Sequence, residues 1–155
     1  MKELFENYAT VLIFLHILSA VIWVGGMIAI KFAVHPSIQA IEDPKVKLGK
    51  TLQVVGRLFY LVMPFIFISF LCALILTKGI GYTGVLIHIK EAIWTIMTLN
   101  FIYMYILRAK AQNLYETGDF TKAKTTVRLL PNVLLPINII LGLVAIFMGV
   151  VIRGF

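Results

Sequence analysis

Four apolar stretches dominate this chain: roughly Tyr8–Phe32, Leu58–Thr77, Gly84–Leu107 and Leu129–Ile152. Each is about 20 residues or more, enough for an α-helix to cross a hydrocarbon core of about 30 Å. Of the 155 residues, 61% are hydrophobic and 14% charged, which leaves too little polar surface for a soluble domain of this size. The expectation is a single all-α domain over 1–155: a four-helix transmembrane bundle with helices near 8–33, 57–77, 84–108 and 129–152. The first stretch reads as a retained span, because it exceeds a typical signal core and no small-x-small motif follows a basic start. Cys72 is the only cysteine, so an intramolecular disulfide is excluded.

The net charge of +7 raises the question of nucleic acid, but its distribution answers it. Lys45, Lys47, Lys50 and Arg57 fall in or beside the first connection. Arg108, Lys110, Lys122, Lys124 and Arg128 fall in or beside the third. In a four-span protein those two connections share a side, and basic connections are cytoplasmic, so both termini face outward. Topology and contact with anionic lipid account for the charge, and no nucleic-acid partner is expected.

The first helix is expected to stop near His35-Pro36, since proline disfavours helix in the residue before it. The run KVKLGKTLQVVGR reads as a short amphipathic segment on the cytoplasmic surface, and KGIGYTG as a tight link between antiparallel neighbours. The third connection, roughly 109–127, is the longest, and its NLYETGDFTKAK reads as a helix end, a Gly-Asp turn and a new helical start. Pro131 and Pro136 should bend the fourth helix where it begins.

Two histidines lie inside the apolar stretches. Ionisable groups are costly in hydrocarbon, and those found there usually mark a functional site. His16 lies roughly 12 Å, and His88 roughly 6 Å, along their helices from the outer end at 1.5 Å per residue. By helical phase, His16, Ser19, Trp23 and Gly26 share one face, as do His88, Glu91, Thr95 and Thr98. Polar stripes of this kind should turn inward.

Histidines on facing helices can ligate one haem iron from both sides, with Glu91 orienting the His88 ring. Gly25, Gly26, Asn138, Gly142 and Gly149 offer room beside a macrocycle, although small residues also simply let helices pack. Lys90 stands about 200° around the helix from His88. It either snorkels to the outer surface or holds a carboxylate such as a porphyrin propionate.

At the inner end, Lys31 and His35 lie one turn apart, with Arg57, Arg128 and Asn132 on other helices. They can form an anion site or a second metal site, or be the ordinary cationic ends of spanning helices. Copper is the alternative metal, with Met27, Met63, Met97, Met104 and Met148 as soft ligands; methionine is also ordinary apolar filling. A serine nucleophile motif, a phosphate loop and a pair of intramembrane carboxylates are all absent.

The segment HILSAVIWVGGMIAIKFAVHP resembles the first helix of HemJ-type protoporphyrinogen oxidases and of CopD-like membrane proteins. LIHIK is similar to the HemJ His-x-Lys pattern and to the lysine-bearing helix of CopD domains. GRLFYLVMP and RLLPNVLLP resemble the starts of the second and last HemJ helices. The resemblance implies a multi-pass haem-b protein of the bacterial inner membrane. His16 and His88 would lie near the haem, with Trp23, Gly26 and Glu91 around it and Lys90, Arg57 and Asn132 as catalytic or supporting positions.

HemJ-type enzymes oxidise protoporphyrinogen IX to protoporphyrin IX, and electrons would pass through haem to a quinone-type acceptor. The CopD side of the resemblance implies copper handling instead. The chain departs from the HemJ pattern in a short Trp23-to-His35 interval, in Val133 where an acid is expected, and in Gly56-Arg57 where two arginines are expected. These departures bear on oxidase activity more than on haem binding. An accessory subunit without a cofactor is the remaining alternative. The expected partners are the bilayer, a porphyrin or quinone, and further copies of the chain.

Overall fold

The structure, a computed structural model, describes residues 2–81 and 84–153. No strand occurs among the described residues. Four helices are long and apolar enough to span a membrane: α1 Glu3–Gln39, α2 Pro44–Gly79, α3 Val85–Glu116 and α4 Phe120–Ile152. Length and apolarity together make the chain a multi-pass membrane protein.

The helices outrun the apolar stretches that seeded them. Each has at least 32 residues, or roughly 48 Å at 1.5 Å per residue, well beyond a core of about 30 Å. Three expectations are corrected here. The first helix runs through Pro36 to Gln39. The KVKLGKTLQVVGR run is the opening third of α2, not a separate surface segment. The third connection is shorter than 109–127: helix end, Gly-Asp turn and new helical start are all in place, but only Thr117–Asp119 lies between the helices. The basic residues therefore stand mostly on helical extensions.

Capping explains where the helices begin and end. The Asp43 carboxylate accepts from Lys45 N at 2.7 Å and Val46 N at 3.1 Å, with Pro44 next in a position that needs no N–H donor. Gly81 closes the second helix at φ 72°, a conformation that costs glycine little. Asp119 caps α4 by accepting from Lys122 N at 3.1 Å.

Proline explains how the helices continue past the expected break. A proline inside a helix lacks a donor and crowds the carbonyl four residues back. Both α1 and α4 absorb the problem with a π-helical turn that ends two residues before the proline: Ile30–Val34 before Pro36, and Leu130–Leu134 before Pro136. In α4 the Leu135 N–H bonds Leu130 O. The next donor in that register would be Pro136, so Pro131 O has no backbone partner. The Lys31 ammonium of α1 donates to it instead, at 2.8 Å.

The bundle is two helical pairs, α1 against α2 and α3 against α4. Its core runs through Trp23, Met27, Leu52, Phe59, Phe101 and Met104, all buried. Phe101 stands edge-on to both Trp23, with centroids 6.2 Å apart, and Phe59, at 5.0 Å. Asn138, fully buried, donates to Met97 O at 3.1 Å and accepts from Asn100 at 2.8 Å, tying α3 to α4. At one end Lys45 of α2 lies over the Phe120 ring at 4.7 Å, and Arg108 of α3 donates to Leu52 O of α2 at 3.1 Å. The start of α2 thus meets the α3–α4 turn, and the basic segments share one end.

Candidate functional site

His16 faces α2. Its Nδ1 lies 3.2 Å from Ser69 O and 3.5 Å from Ser69 Oγ. A backbone carbonyl only accepts, so the nitrogen that faces it carries the proton and Nε2 keeps its lone pair. That is the arrangement that orients a ligating histidine. Ser19 and Trp23 are buried on the face that His16 leads; the Ser19 hydroxyl donates to Leu15 O at 2.7 Å.

Lys90 comes in from α3. Its Nζ occupies the space that a side chain at residue 149 of α4 would take: a Cβ built on Gly149 would stand 3.0 Å from it. The two ion pairs among the described residues lie elsewhere, His88–Glu91 and Lys122–Asp119, so Lys90 has no carboxylate partner there. Gly142 packs on Val24 and Met97; seven or eight residues further along, the His16–Ser69 and Lys90–Gly149 pairs stand at one level of the bundle, with one residue from each of the four helices.

His88 is not in this group. Its side chain is 80% exposed and pairs with Glu91 at 3.3 Å on the outside of the bundle. Thr95, also exposed, bonds the Glu91 backbone carbonyl at 2.9 Å. The expected His16–His88 ligand pair is therefore not assembled within the chain, although the Glu91 partner of His88 is in place. The reason is helical phase. Lys90, Trp94, Met97, Phe101, Met104, Arg108 and Ala111 recur at alternating four- and three-residue steps, and the middle three are buried. This seam packs into the bundle. His88 lies nine residues from Met97, about 180° away around the helix. An inward polar stripe is an average tendency; here the apolar seam decides the face.

The other expected site residues are dispersed. Arg57 is exposed on α2, roughly 18 Å along the axis from Ser69. Asn132 is exposed on α4, donates to Arg128 O at 2.9 Å, and lies roughly 25 Å from Gly149. Gly26 faces the Leu58 side chain, and Gly142 faces Val24 and Met97, so both are filled by packing. Trp23 is buried and its indole N–H has no partner among the described residues, inside a π-helical turn at Val21–Gly25. Turns of that kind recur at functional positions. Lys31 is engaged by Pro131 O, and His35 Nε2 lies 3.2 Å from Gln39 Nε2, so the inner cluster is tied into the helix ends.

No group of three His, Cys, Asp or Glu side chains gathers at metal-binding distance among the described residues. Met27, Met97 and Met104 are core residues. Two residues went unnoticed in the sequence. Ser69 continues the buried series Val55, Val62, Ile66 on α2, and a polar residue in that series was its signal. Asn100 carried none apart from its Asn138 partner. No protein family, curated protein or solved structure matches this chain.

Proposed function

We propose that this is a redox protein of the bacterial inner membrane that holds haem b at the His16–Lys90 site. The observation that supports the reading is a histidine oriented by Ser69 O, at the same level of the bundle as an ammonium that has no carboxylate partner among the described residues. When bound, haem supplies one-electron transfer. The chain's residues do the rest. Ser69 O fixes the His16 ring, and His16 Nε2 would hold the haem iron. Lys90 offers its charge to a propionate, with Gly149 leaving it room.

His88 is not the second ligand within one chain. The same cation suits the carboxylates of a porphyrinogen substrate, and the HemJ resemblance favours oxidation of protoporphyrinogen IX with a quinone-type acceptor. The basic end faces the cytoplasm and both termini lie outside, by the positive-inside rule. The His16 site then falls in the outer half of the bilayer.

A visible spectrum of protein purified from haem-replete cells tests this. The expected result is a Soret band that His16→Ala removes or shifts and His88→Ala leaves intact. A missing Soret band, or a spectrum indifferent to His16→Ala, overturns haem ligation at this site. Complementation of a strain lacking other protoporphyrinogen oxidases tests the catalytic part separately: growth supports it, and haem loading without growth removes it.

A further inference from the structure

At the basic end, away from His16, the last turns of α1 and the early turns of α2 leave an open groove of about 380 Å³. Its walls are Ala33, Val34, Ile38, Ile41 and Val54, with Lys50 and Ser37 at the margin. That volume lies at the lower end of the ~300–1,000 Å³ of small-molecule sites. A narrower recess lined by Ile30, His35, Thr51 and Val55 continues from it, sharing Val34, Ile38 and Val54. The Ser37 hydroxyl is already donated to Ala33 O at 2.8 Å, and the Asp43 carboxylate caps α2. Lys50 is exposed and in no ion pair among the described residues.

We infer that this groove binds an anionic membrane phospholipid, its acyl chain along Val34, Ile38 and Val54 and its phosphate on the Lys50 ammonium. Charge complementarity selects the occupant. The groove opens on the surface of a membrane bundle, at the end where Lys45, Lys47 and Lys50 stand on one helix, and basic side chains at that level attract anionic headgroups. Phe32, 68% exposed, extends the apolar surface towards the bilayer. The lipid would brace the α1–α2 corner at the turn that Pro36 forces. This inference rests on the membrane reading and is independent of haem.

The test is native mass spectrometry of the detergent-purified protein mixed with phosphatidylglycerol or with phosphatidylcholine of the same acyl chains. The expected result is preferential retention of phosphatidylglycerol. Lys50→Glu lowers that retention about fivefold or more, the effect of losing one basic residue near the surface and gaining an acidic one, while phosphatidylcholine is unaffected. Ala33→Trp, which fills the groove, lowers both. Circular dichroism confirms that each variant is folded. Equal retention of the two lipids, a phosphatidylglycerol preference that survives both variants, or a dimer that only Ala33→Trp dissociates, each overturns the inference; the last outcome assigns the groove to a second copy.

Discussion

Lys31 and Pro131 are joined by a hydrogen bond of 2.8 Å across a sequence separation of one hundred residues. Two prolines create the need for it. Pro136 removes the donor that Pro131 O would use, and Pro36 forces the π-helical turn that contains Lys31. A cation on α1 thus repairs the backbone of α4. Replacing Lys31 by Met leaves that carbonyl without a partner and is expected to cost about 1–2 kcal/mol. Thermal or detergent-induced unfolding of the purified variant measures it, and an unchanged midpoint would show that water or lipid serves the carbonyl equally well.

Asn100 and Asn138 form the polar clamp between α3 and α4, with Asn138 fully buried. Interhelical hydrogen bonds in membranes contribute about 0.6 kcal/mol on average and at most about 1.7 kcal/mol. A double-mutant cycle with Asn100→Leu and Asn138→Leu should return a coupling in that range. Additive effects would mean that the amides matter only through their backbone acceptors, Leu134 O and Met97 O.

Gly149 matters through the space it leaves for Lys90. Gly149→Leu should displace the ammonium and weaken haem retention, as Lys90→Met does, while His88→Ala does not. Haem content per protein, read from the Soret band against total protein, ranks the three. If His88→Ala is the most damaging, the outer face of α3 carries the site instead.

The Lys122 side chain and backbone N–H bond Asp119 and hold its carboxyl below the ordinary carboxylate range. A depressed carboxyl stabilises the fold above its unfolded-state value, about 3.9, and that contribution fades as pH falls through the folded value. Asp119→Asn keeps a competent cap but cannot titrate. Melting temperatures of the two proteins should therefore differ above about pH 5 and converge as pH falls through the lower folded-state value. A gap that stays constant with pH would show that the ion pair adds nothing to the cap.

Along the chain, hydrophobic length was enough to count the four spans, and composition to exclude a soluble domain. Asp43-Pro44 and Gly118-Asp119 mark helix boundaries for reasons local to a few residues, because a cap is satisfied by its own neighbours. Pro36 looked like a stop, but a π-helical turn can absorb a missing donor, and in α4 a partner from another helix supplies the carbonyl that Pro136 leaves unpaired. Which of two faces of α3 turns inward was settled only by packing. The sequence pattern favours the stripe of His88 with Glu91, but the structure buries the opposite one, Lys90 with Met97 and Phe101. The aromatic and methionine seam packs against Trp23 and Phe59 across the bundle, and that close van der Waals packing, not the His–Glu pair, faces inward. That choice turns Lys90, not His88, into the bundle, at the level of His16.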